Sequence, residues 1–195
     1  MLGKRGGVAA LLREKNPSLI NIDCVCHKLA LSCTDTNEEI KYFKQLETFL
    51  RQLWYCFDNS QKRLAAYLKT QTQLKKIKVG EKCQKCVATR LKKACRTRWL
   101  SLDASVKAVH KDYEAVMQTL NLFEKSDATA SGLCKRMRSI QFIGVIHIFS
   151  EVLPVLSNLS KFFQKDSLNF LTIVPASGVA KEKHLKLLEE DAKTF

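Results

Sequence analysis

The sequence predicts a mainly α-helical protein with one or two short β-strands near its N-terminus. Apolar residues recur at intervals of three and four along most of the chain, the period of helices with one buried face. Glycine and proline are scarce, seven and three among 195 residues. The chain is 46% hydrophobic, enough for a sizeable core and too much for a disordered polymer. Its length fits one domain or one and a half. Three segments follow: residues 1–36, residues 37–166, which should be all helical, and a strand-or-helix tail at 167–195.

Gly3, Gly6 and Gly7 open the chain, and a short helix follows with Val8, Leu11 and Leu12 on one face. The GKRGG there lacks the Gly-Lys-Ser/Thr ending of a phosphate loop, and no strand precedes it. From Pro17, the apolar run Leu19, Ile20 and Ile22 reads as a buried strand. It delivers Cys24 and His27, a Cys-x-x-His pair, to the start of a helix carrying Leu29, Ala30 and Cys33. Sites of α/β folds usually lie at such strand ends.

Asn37 and Glu38 then open an amphipathic helix with Ile40, Phe43, Leu46, Leu50, Leu53, Trp54 and Phe57 on its apolar face. Asp58-Asn59-Ser60 breaks it and caps the next, which carries Leu64, Tyr67 and Leu68. Gly80 predicts a loop. Ser101 reads as an N-cap with Asp103 in the first turn, opening one helix through Val106, Val109, Tyr113, Val116, Leu120 and Phe123. Ser126-Asp127 ends it. A shorter helix with Leu133, Met137 and Ile140 leads into the most apolar stretch, residues 140–163. His147, Glu151, Asn158 and Lys161 interrupt that stretch, so it reads as a buried helix and not a membrane span, and Pro154 should kink or divide it. In the tail, residues 167–174 read as strand or helix, residues 175–178 as a turn, and residues 181–193 as a charged helix.

The net charge of +14 favours a polyanionic partner. It concentrates in residues 75–98, where ten cations face one acid, Glu81, and the run ends beside Trp99. Phosphate-neutralising charge beside an aromatic ring suits unpaired nucleic acid; a solvated helix face with a core tryptophan gives the same pattern. The eight cysteines are not needed as a disulfide framework in so core-rich a chain, and the N-terminal LGKRGG is no secretory leader. The thiols are expected to be reduced and intracellular.

Two chemistries compete for the cysteines. Cys24, Cys26, His27, Cys83 and Cys86 could supply a tetrahedral zinc site from two knuckles. On a strand, however, Cys24 and Cys26 face opposite ways. A thiol enzyme needs an orienting third group and an oxyanion site, and neither is recognisable.

The segments MLGKRGGVAALL, INIDCVCHKLALSC, ACRTRWLSLDASV and PVLSNLSKFFQKDSL resemble, in order and spacing, transposases of the hAT (hobo and Activator) superfamily. The resemblance implies a ribonuclease H-like core interrupted by a helical insertion. Residues 1–36 would be a remnant of that core, its strand orphaned, and residues 37–166 the insertion. Family members hold two divalent metals with an Asp-Asp-Glu triad. The resemblance places all three carboxylates, the BED-type zinc finger and the dimerisation segment outside this sequence. Asp23 is one residue off the motif and takes no metal role. The Cys-x-x-His motif falls on Cys24 and His27, near the scissile phosphate in the family. The Arg-Trp motif falls on Arg98 and Trp99, and in the family its tryptophan stacks on a base of the flanking DNA.

The expectation is a truncated, catalytically inactive relative, without cofactor, small-molecule substrate or membrane. Sequence-independent DNA affinity is expected through Cys24, His27, Lys92, Lys93, Arg96, Arg98 and Trp99, in the nucleus. The rival expectation is a nuclear helical scaffold that binds other proteins.

Overall fold

The structure, a computed structural model, describes residues 7–19, 24–39, 41–79, 88–95, 99–165 and 169–194. Among these, nine α-helices and one 3-10 turn occur and no strand: α1 (Val8–Lys15), α2 (Val25–Glu39), α3 (Lys41–Asp58), α4 (Gln61–Val79), α5 (Trp99–Lys111), α6 (Tyr113–Phe123), α7 (Ala128–Met137), α8 (Ile140–Phe163), the 3-10 turn Phe170–Thr172, and α9 (Ile173–Thr194). The mainly helical class stands. Of the expected strand, Leu19 has no regular structure and residues 20–23 lie outside the described residues.

Helix α3 is the hub. It buries Phe43, Leu46, Phe49, Leu50, Leu53, Cys56 and Phe57, and packs against α2, α4, α5, α7 and α8. Removing such side chains from water stabilises by roughly 1.5–3 kcal/mol each. The break after α3 is the expected one: Ser60 Oγ accepts from the Arg63 backbone N–H (3.3 Å) at the start of α4. Arg63 then works as a clasp. Its Nε donates to the Cys56 carbonyl (2.7 Å), and its guanidinium pairs with Asp127. Asp127 in turn caps α7, accepting from the N–H groups of Thr129 (2.8 Å) and Ala130 (3.4 Å). One carboxylate therefore joins the ends of three helices.

Several expected boundaries move. Asn37 and Glu38 do not open a helix; they end α2, whose Ala30 and Cys33 pack against the core, so tertiary contacts extend it past local cap signals. Ser101 is not a cap, because α5 begins two residues earlier. Its hydroxyl instead bonds the Cys95 backbone, accepting from N–H (3.1 Å) and donating to the carbonyl (3.4 Å). Asp103 accordingly lies beyond the first turn and pairs with Lys107 (3.0 Å). The helix expected over Val106 to Phe123 is two, divided at Asp112, whose carboxylate turns inward to the side chains of Tyr67 and Gln71. Ile140 belongs to α8, capped by Ser139, and is exposed.

Helix α8 runs through Pro154 without dividing. Among the described residues it alone is long and apolar enough to cross a membrane by length and composition. It packs mainly on α5 and buries Phe142, Ile146, Leu153, Ser157, Ser160 and Phe163. Only 22% of its most apolar window is buried, so the expectation of a buried helix holds for one face. Residues 175–178 form no turn: Pro175 is the third residue of α9, where backbone N–H groups have no partner within the helix and a proline removes nothing.

Candidate nucleic-acid interface

Between α4 and α5, residues 88–95 cross the bundle without regular structure. Their side chains divide the work. Leu91 and Ala94 are buried, which fixes the depth of the segment, while Arg90, Lys92 and Lys93 face solvent.

The segment is tied at both ends. Ser101 holds Cys95, as described above. At the other end the Gln71 amide, on α4, receives the Thr89 N–H on Oε1 (2.7 Å) and returns Nε2 towards the Thr89 carbonyl (3.3 Å). A backbone N–H can only donate, so the amide oxygen must face Thr89, and Nε2 is left to donate to Asp112 Oδ2 (2.6 Å). Tyr67 Oη donates to the same Asp112 oxygen (3.2 Å). Gln71 is 1% exposed and Tyr67 fully buried, so the network sits in the interior. Burial pushes the Tyr67 phenol well above the usual tyrosine range, and the Asp112 charge and hydrogen bond add to the shift.

The tether aims Lys93 at α3. Its ammonium lies 4.8 Å from the centre of the half-buried Trp54 ring. Thr48, Arg51, Gln52, Trp54, Tyr55 and Lys93 line one groove of about 330 Å³, and Tyr55 is 61% exposed. Two cations beside two aromatic rings can neutralise phosphate and stack on a base.

The expected site residues are partly assembled. Lys92 and Lys93 lie on the tethered segment; Arg96 and Arg98 lie outside the described residues, as does the side chain of Trp99, the first residue of α5. Cys24 and His27 are exposed at the start of α2. There Cys26 Sγ lies 3.4 Å from Ser160 Oγ and accepts from Gln164 Nε2 (3.3 Å), both at the end of α8. Cys26, between the two motif residues, thus meets α8, whereas the basic segment meets α3 and α4. Of the zinc alternative, Cys83 and Cys86 lie outside the described residues. Among the described residues no group of three or more His, Cys, Asp or Glu could hold a metal. Arg51, Trp54 and Tyr55 escape the reading of residues 75–98 because they stand on another element; only an aromatic at the edge of the α3 stripe hints at them.

The thiols separate by depth. Burial raises the pKa of Cys33, Cys56 and Cys134, and Cys134 Sγ also donates to Asn121 Oδ1 (2.9 Å). In native protein, Cys24 and Cys95 should react with a disulfide reagent ahead of Cys56 and Cys134, which should stay protected until unfolding. Mass mapping of the labelled residues checks this order, and early labelling of Cys56 would contradict the packing.

No protein-family model and no solved structure matches the chain.

Proposed function

We propose that this protein binds DNA in the nucleus without sequence preference and without cutting it, as a transposase-like chain of hAT type working as a binding module. The single observation that carries the reading is the tethered cation over an aromatic ring, Lys93 on Trp54, in a groove shared with Arg51 and Tyr55. The net charge of +14 and the order of the Cys-x-x-His and Thr-Arg-Trp motifs support it. No sequence-reading hydrogen-bond pattern is needed, because charge and stacking are indifferent to base identity.

The test is fluorescence anisotropy with a labelled single-stranded oligonucleotide across a salt series. Micromolar or weaker affinity is expected, falling steeply between 50 and 200 mM salt, with Lys93→Ala and Arg51→Ala each flattening the log–log slope by about 0.7. Trp54→Ala should weaken binding by about 1–3 kcal/mol at any salt. Salt-independent binding, or binding untouched by all three changes, rejects the groove. Metal-dependent nicking of plasmid by the purified chain rejects the non-cutting reading.

A second reading, a helical module for nuclear protein partners, is favoured by exposed apolar residues on α8, the 3-10 turn and α9. Ile140 is 89% exposed, Leu171 83% and Val174 78%. A stable protein complex that forms without DNA, joined to absence of oligonucleotide binding at moderate salt, would decide for it.

A further inference from the structure

Helices α5 and α8 form the most extensive helix pair of the bundle, and at its solvent edge each contributes one histidine. His110 Nε2 and His147 Nδ1 face one another at 3.5 Å, with ring centres 5.6 Å apart and ring planes 31° from parallel. We propose that this pair is a two-histidine clip for a borderline divalent transition ion such as zinc, nickel or copper, binding across α5 and α8.

The geometry is that of two ligands of one ion. Bonds of about 2.05 Å to nitrogens 3.5 Å apart meet at an angle of about 117°, close to tetrahedral. With about 1.1 Å from ring nitrogen to ring centre, two imidazoles bound at that angle place their centres about 5.4 Å apart, near the observed 5.6 Å. Ring packing alone does not require one nitrogen of each ring to stand within 3.5 Å of the other.

A third residue orients the pair. Glu151, one turn beyond His147 on α8, sets Oε1 3.7 Å from His147 Nε2. At that distance the carboxylate is a charge contact and not a hydrogen bond; its charge favours the ring proton on Nε2, which leaves Nδ1 on the His110 side free to act as a ligand. Its negative charge also favours a dication. The His147 side chain is 64% exposed and that of Glu151 41%, so an ion reaches the clip from solvent. With two protein ligands the remaining positions fall to water. The clip is therefore a surface brace, distinct from a four-ligand structural centre.

Imidazole ligands select zinc, nickel and copper over magnesium and calcium. The experiment takes the full chain, reduced and stripped with chelator, and adds nickel alone. Calorimetry should show one site, and the melting temperature should rise by about 2–4 °C at saturation. Magnesium at the same concentration should do neither. His110→Ala and His147→Ala should each abolish the nickel response while melting like the parent in chelator, since both side chains are at the surface. Glu151→Gln should keep the site and weaken it about tenfold. Cobalt should give a spectrum without a thiolate charge-transfer band. Nickel binding that survives both histidine changes, a cobalt–thiolate band at the single site, or no nickel binding by calorimetry would each overturn the proposal.

Discussion

Gln71→Ala is expected to lower the melting temperature by about 5–10 °C, from a loss of roughly 2–3 kcal/mol. The substitution removes a buried side chain that serves three partners, two of which, Tyr67 and Asp112, lie in the interior. It leaves the Thr89 N–H without its acceptor and takes a donor from the Asp112 carboxylate, which is 8% exposed. Orphaning buried polar groups costs more than the net value of the bonds lost. Gln71→Glu keeps an acceptor for Thr89 but sets a second carboxylate beside Asp112, and should be at least as damaging. An alkaline limb accompanies the network. A phenol held above its ordinary pKa of 10.0 stabilises the fold fully below about pH 10 and loses that contribution progressively as pH climbs from there toward the raised folded-state value. Tyr67→Phe should therefore flatten the fall in stability above pH 10. Thermal melts of the four proteins from pH 7 to pH 11 check both claims; a Gln71→Ala protein that melts within a degree of the parent would show that the network carries no stability.

Phe49→Ala is expected to cost about 3–5 kcal/mol, with a fall in melting temperature on the order of 10 °C. Phe49 is fully buried and meets Phe142 edge-on at 4.7 Å, while the Arg136 guanidinium lies 5.2 Å above its ring. It thus joins α3 to both α7 and α8. Total stability for a domain is about 5–15 kcal/mol, so the change consumes a large share. Phe49→Leu fills most of the volume and should recover more than half of the loss. Chemical denaturation at fixed pH measures both; a cost under 1 kcal/mol for alanine would mean that the α3–α8 contact is loose.

Much of the fold is legible in the sequence, because helices with one buried face write their period into it. Leu46, Leu50, Leu53 and Phe57 stand where the three-and-four spacing puts them, and Ser60 and Asp127 mark their breaks. Phe49 and Cys56 escape that spacing because α3 is surrounded and buries more than one stripe. The break at Asp112 is invisible locally, since its cause lies on α4, more than forty residues away. Nothing local marks Gln71, which is buried only where tertiary structure closes over it. The same applies to the groove: the basic run announces Lys92 and Lys93, yet the aromatic partner comes from another helix. Pro175 misleads in the opposite direction, since proline signals a turn unless it falls where a helix begins.

The segment over residues 88–95 divides its duties by residue, with Leu91 and Ala94 anchoring and Arg90, Lys92 and Lys93 left outward. Its charge can therefore be rewritten at little expense to folding. Acetylation of Lys92 or Lys93 would erase a positive charge while the scaffold beneath kept its shape, so polyanion affinity becomes a dial that turns independently of whether the protein is folded.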